Sequence, residues 1–268
     1  AGDLIMEEGS VIDVSGSSPV TLYRPSGARR LYASYLGAGN PGSVRLSFQN
    51  AVDENGGSTL KSTYLAEKTL PNLTGGSFEL NHTSSNENLL LTPDVLSGVM
   101  DGGFDHLTLT SVSNIQFSGS QRISMDRGVV IDTPVISSEV LSRTTIQSPW
   151  IQLKNTERSI DLTPSDPLSE SEITLSGDFV DITGDIKFQG FKQVSLTAEQ
   201  DMRLTDYKYD NSTKIYENGQ PRKWLGGISA EHDLSLTAAR IYPTTNSFIE
   251  INAGNTIATY SSGVTRND

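Results

Sequence analysis

A phrase made of an aliphatic residue, Ser or Thr, Leu, and again Ser or Thr occurs four times in this chain. The copies are Leu107-Thr-Leu-Thr110, Ile173-Thr-Leu-Ser176, Val194-Ser-Leu-Thr197 and Leu234-Ser-Leu-Thr237. Their starts lie 66, 21 and 40 residues apart, which factor as three times 22, once 21 and twice 20. A unit of that length cannot bury its own apolar face, and stacking successive copies does. The repeat therefore predicts an all-β solenoid, one coil per unit. A second phrase, Gly9-Ser10-Val11, Gly42-Ser43-Val44 and Gly76-Ser77-Phe78, recurs at 33 and 34 residues, read as coils enlarged by loops.

The apolar clusters alternate with period two, the mark of strands with one face buried and one wet. Val44-Arg45-Leu46, Phe78-Glu79-Leu80 and Ile249-Glu250-Ile251 are examples, bounded by Gly, Asn, Asp and Ser rather than by helical spacing. Aligning Leu175 over Leu196 and then, after a one-residue slip, Ile182 over Leu204 sets Asp181 beside Arg203 on the outer face. Such opposite charges across neighbouring strands stabilise pairing by about 0.2–1 kcal/mol. One helix is predicted over 93–101: Thr92 caps, Pro93 takes the first helical position, and Val95, Leu96, Val99 and Met100 form one face until Gly102-Gly103. It closes a loop-rich stretch, 51–103. A second irregular stretch, 205–228, reads as a projecting aromatic and basic insertion. Asp210-Asn211 and Asn218-Gly219 favour a hairpin over a further coil there.

Composition excludes several classes. Lys and Arg total 20 against 32 Asp and Glu, a formal charge of −12, which repels phosphate backbones and anionic lipid. No nucleic-acid partner is expected. With no cysteine there are no disulfides, thiolate metal sites or Cys nucleophiles. The longest aliphatic runs, Leu89-Leu90-Leu91 and Val129-Val130-Ile131, fall far short of the roughly 20 residues of a membrane span. No membrane insertion is expected either. Ala1 is not an initiator, and its surroundings lack a signal peptide, so the chain is expected to be a piece of something longer.

Chemistry-bearing motifs are sparse. Gly37-Ala-Gly39-Asn-Pro-Gly42 spells a nucleotide-loop pattern, but a strand follows where a helix must begin, so it is a turn. His82, His106 and His232 lack metal-ligand spacing and read as loop or strand-edge residues; no metal or cofactor is expected. Three glycosylation sequons match in a chain rich enough in Asn and Thr to produce them by chance. Asp178, Asp181, Asp185, Glu199 and Asp201 are the best candidates for paired-carboxylate or calcium chemistry, with Asp178 set beside Glu199, although solvated outer-face charges are the favoured reading. The candidate partner-binding residues are Tyr207, Tyr209, Tyr216, Arg222, Lys223 and Trp224. Tyr, Trp and Arg dominate binding hot spots, and here they interrupt an aromatic-poor chain. A loop folded over the solenoid flank is the other reading of that segment.

Gly9-Ser-Val-Ile-Asp-Val-Ser-Gly16, Gly103-Phe-Asp-His-Leu-Thr-Leu-Thr-Ser111 with Ile115-Gln-Phe-Ser-Gly119, and Asp233-Leu-Ser-Leu-Thr-Ala238 with Ala239-Arg-Ile-Tyr-Pro-Thr-Thr245 carry a resemblance. They resemble filamentous-haemagglutinin-type exoproteins secreted by the two-partner route, most specifically over 92–119 and 233–253. The resemblance implies a right-handed parallel β-helix, threaded unfolded through an outer-membrane translocator of a Gram-negative bacterium and displayed at the cell surface. It implies an adhesin, or the stalk of a contact-dependent growth inhibition toxin, and it transfers no catalytic residue. The family's Asn-Pro-Asn secretion motifs are not recognisable, so an interior or distal filament segment spanning 1–268 is expected. Its partners would be a host- or neighbour-cell receptor or glycan and adjacent β-helix segments of the same protein. The absence of cysteine agrees with export of an unfolded chain. Two other functions stay open: a carbohydrate-active β-helix enzyme, lyase or glycosidase, using groove carboxylates, and a purely structural spacer.

Overall fold

A half-buried strand needs hydrogen-bonding neighbours, and most described strands find them one pass later, whereas Val20–Tyr23 pairs antiparallel with the next segment, Ala33–Leu36. The structure is a computed structural model describing residues 10–17, 20–23, 33–36, 39–49, 63–68, 73–139, 141–156, 170–208, 216–217, 220–221, 224–245 and 247–264. Its described part is mostly β, with one helix, and the strands stack in parallel in the manner of a solenoid.

Three columns of parallel strands result. The first runs through Ser43–Phe48, Gly76–His82, Phe104–Ser111, Gly128–Asp132, Trp150–Lys154, 179–183, 201–205 and Arg240–Pro243. The second comprises Leu89–Leu91, Asn114–Phe117, Val135–Ser138, Asp185–Gln189, Gly227–Ala230 and Glu250–Ala253. The third comprises Ser120–Ser124, Arg143–Gln147, 171–177, 191–198, Asp233–Ala238 and Ile257–Ser261. The long strands Ser171–Thr183 and Phe191–Thr205 turn from the third column into the first without a break, joining both columns in one sheet.

The register clarifies the repeat. Ile173, Val194 and Leu234 pair directly in sequence, so the 40-residue interval is one pass, not two. Its excess is a separate element: Tyr207–Lys208 pairs antiparallel with Trp224–Leu225, and Tyr216–Glu217 with Gln220–Pro221. The aligned pairs Leu175–Leu196, Ile182–Leu204 and Asp181–Arg203 all occur, with the slip between Gly177 and Phe179. Leu107 departs from expectation. It lies in the first column, between Phe78 and Val129, so the 66-residue interval is not three whole turns. An alternating phrase fits any column, which is why spacing alone misplaces it. Likewise Val44 pairs with Phe78, whereas Val11 pairs with Thr63.

The helix, Pro93–Met100, carries the expected cap, Thr92 accepting from the Val95 amide at 3.4 Å. It follows a second-column strand and precedes a first-column one, so it takes the place of a third-column strand. There it packs against Ser120–Ser124, burying Val95, Leu96 and Val99. The second column also omits a pass: Val135–Ser138 pairs directly with Asp185–Gln189, while the other columns insert 150–154 and 171–177. Just past Trp150–Lys154, the amide and side chain of Asn155 donate to the carbonyls of Thr183 and Asp185 at 3.0 and 2.9 Å.

Inward residues form aliphatic ladders. Ile123, Ile146, Leu175, Leu196 and Leu236 share one register column, and all are fully buried. Truncating Leu196 to Ala removes contacts to the passes above and below, and the expected loss is about 2–5 kcal/mol in urea unfolding. Leu196→Asp should leave no cooperative transition, because an unpaired charge in that ladder costs more still; a near-native midpoint for L196D would refute the ladder.

His82 is a correction. Rather than a loop or edge residue it is buried at the end of its strand, against the Phe48 ring at 5.7 Å, with Nδ1 3.2 Å from the Ser111 hydroxyl. Burial holds its imidazole below the ordinary 6.5, and burial together with Arg127 does the same for His106. A folded-state value below the unfolded one means the unfolded chain takes up protons first. Stability is therefore full above about pH 6.5 and falls as pH drops through the lowered values. Thermal melts should show Tm declining from pH 6.5 downward, less steeply in His82→Gln; an unchanged slope would count against the buried neutral ring.

Candidate functional site

The corner joining the third column to the first is built around a bulge. Glu199 and Gln200 together oppose Asp178 in the next pass, which re-aims the side chains at the bulge, and the amides of Asp178 and Phe179 both donate to the Pro149 carbonyl at 3.0 Å. Gly177 permits this closure: a Cβ there would lie 2.4 Å from the Ser148 carbonyl oxygen. Beside the corner runs an open groove of about 580 Å³. Ser124, Gln147, Ser176, Thr197 and Thr237 line it in direct cross-strand register, so it crosses the strands and follows the stack. Ser261 and Ser262 close the far end, and the Ser262 hydroxyl donates to the Glu199 carbonyl at 2.6 Å.

Three carboxylates, Asp126, Asp178 and Glu199, line the same groove. The expected proximity of Asp178 and Glu199 is thus found, at the bulge. Neither forms an ion pair among the described residues, whereas Asp126 lies 3.6 Å from Lys68. The rest of the predicted acidic group is used elsewhere. Asp181 receives both guanidinium nitrogens of Arg203 at 2.8 Å and the Trp150 indole at 2.9 Å. Asp201 is buried, not solvated, and receives Arg240 at 3.0 and 3.1 Å. The Asp181 pair holds the Arg203 guanidinium above its ordinary range, through the hydrogen bond first and charge second. Asp185 is also engaged. Among the described residues no three His, Cys, Asp or Glu are grouped to hold a metal ion.

An aromatic pair stands in the first column, past the corner. Trp150 follows Pro149, Phe179 follows Asp178, and the two pair across strands on the outer face. Phe179 is 38% exposed. Trp150 stacks on His106 at 6.4 Å and 15°, over Gly128, where a Cβ would meet both rings at about 3 Å. Ser148 also lines the groove; it is 6% exposed, and its hydroxyl has no hydrogen-bond partner among the described residues.

Of the predicted partner-binding residues, Tyr209, Arg222 and Lys223 lie outside the described residues. The backbone pairs Tyr207 with Leu225 and Lys208 with Trp224 in one short antiparallel ribbon, and Tyr216 with Pro221 in a separate one. Sequence reading found Asp178 and Glu199 but missed the hydroxyl row between the carboxylates. Its signal was present: Ser176, Thr197 and Thr237 are the fourth positions of three copies of the repeated phrase. Comparison with known protein families, curated proteins and solved structures found no match.

The bulge makes one prediction. Gly177→Ala must push the Ser148 backbone away, so it should lower the urea midpoint, while Ser176→Ala beside it leaves the midpoint nearly unchanged. Equal midpoints for both would mean the corner is not closed by backbone contact.

Proposed function

We propose that this chain is a segment of a secreted, surface-displayed exoprotein of the filamentous-haemagglutinin type, a right-handed parallel β-helix that carries adhesive contacts without catalysing a reaction. The right hand follows from strand twist, which favours that sense in parallel crossover connections. The observation that carries the reading is the half-covered apolar surface of the last described pass. Ile257 is 47% exposed although its partner Leu234 in the pass before is 1% exposed. Tyr260 and Phe248 are more than half exposed beside it, and Ile241 and Ile251 are only partly buried where Met202 and Ile228 are closed off. Apolar residues half covered on an outermost described strand suit contact with a further β surface.

The Cys-free composition fits passage through an outer-membrane translocator, and the antiparallel ribbon at 207–225 fits a contact displayed from the stack. The carbohydrate-active alternative rests on Asp126, Asp178 and Glu199 sharing a groove.

Fluorescently labelled protein should bind host epithelial or neighbouring bacterial cells saturably, and replacing 208–224 by a short Gly-Ser turn should abolish most of that binding. Full binding by the shortened protein would remove the ribbon from the function. Failure of the intact protein to bind any cell would leave the spacer reading in place of adhesion.

A further inference from the structure

We propose that the groove along the third-column corner binds a linear, uncharged oligosaccharide lying parallel to the stack. The inference deepens the adhesive reading by assigning a second contact surface and its ligand class. It stands on the groove's geometry, so its test is separate from cell binding.

The first argument is translational. Ser124, Gln147, Ser176, Thr197 and Thr237 place one hydroxyl or amide on each successive pass. Passes advance about 4.8 Å, close to the length of one sugar unit in an extended chain. A polymer with that repeat can meet the same kind of group at each step.

The second argument is chemical. Hydroxyls and a primary amide both donate and accept, as do sugar hydroxyls, and carboxylates accept from them. The Ser148 hydroxyl, lining the groove and unpartnered among the described residues, gains a bond when its side chain rotates toward a polar occupant. Met125 and Pro149 supply apolar surface in the lining, so the groove mixes polar groups with an apolar patch in the manner of ligand clefts.

The third argument excludes competitors. Asp126, Asp178 and Glu199 repel a polyanion, which removes uronate and sulfated chains as well as nucleic acid. An extended peptide would seek a free strand edge. From Arg143–Gln147 to Asp233–Ala238 the groove crosses strands already paired on both sides, and among the described residues it meets an unpaired edge only at its two ends, Ser120–Ser124 and Ile257–Ser261.

The test is titration of the intact chain with hexamers of β-linked glucose and of N-acetylglucosamine, a galacturonate hexamer and a Lys-rich peptide, followed by calorimetry and tryptophan fluorescence. A neutral hexamer should bind and the galacturonate should not. Thr197→Tyr, which fills the groove from an outward position, should weaken binding about tenfold or more. Thr237→Tyr provides a second blocking variant, and far-UV spectra and urea midpoints report whether each variant stays folded. No binding by either neutral hexamer, stronger binding of galacturonate or of the peptide, or binding unaffected by both blocking variants would overturn the proposal. Cleavage of a bound hexamer would support the site while replacing the non-catalytic reading by the enzymatic one.

Discussion

Everything in this molecule depends on the backbone hydrogen bonds between one pass and the next. They are parallel and repeat at one spacing, so every column must keep the same rise, and a side chain that fits at one level is repeated above and below. The inward ladders follow: Val44, Phe78, Leu107, Val129, Ile151, Val180 and Met202 occupy one register, and none is more than 6% exposed. Where the backbone turns between columns the ladder is interrupted, and amides there need other acceptors. Carboxylates supply several of them. The Gly75 amide donates to Asp105, Thr156 to Asp132, Gly190 to Glu231 and Phe248 to Asp206, at 2.6 to 2.9 Å. Part of the acidic excess is therefore structural, and Asp105, Asp132 and Asp206 are buried for that reason.

The same constraint makes the two ends unequal. Toward the beginning, Phe48 and Tyr64 are covered to 1% exposure, and the rings of Tyr64, Phe78 and Phe104 pack edge-on at 4.7 and 5.3 Å. The helix then fills a strand position and covers the edge of the first third-column strand. The last described pass has no equivalent among the described residues.

Much of this was legible from residues alone, and the failures are instructive. The Leu175–Leu196 and Asp181–Arg203 pairs follow from period two plus one slip, because a strand out of register would turn its whole apolar set to water. The helix was legible from capping chemistry, a local code. The misplacement of Leu107 has a physical cause: three columns built on the same alternation have no sequence label that distinguishes them. The buried His82 escaped because histidine alone carries no burial signal, and its setting comes from Phe48 and Ser111, 34 and 29 residues away. The omitted pass in the second column lay beyond sequence for the same reason. It depends on Asn155 reaching strands that arrive 28 and 30 residues later.

The groove shows how a repeat selected for stacking can also specify recognition. In the phrase shared by 173–176, 194–197 and 234–237 the first and third residues enter the ladders, and the fourth faces outward beside the corner. Because the apolar positions fix the rise, the outward hydroxyls inherit it, and a row of equivalent polar groups appears without any further constraint. Such a row cannot concentrate chemistry at one point. It distributes the same weak contact along a line, so its natural complement repeats along a line as well. The bulge at Gly177 is the exception to that translation, and it is where Asp178 and Glu199 break the uniformity of the wall.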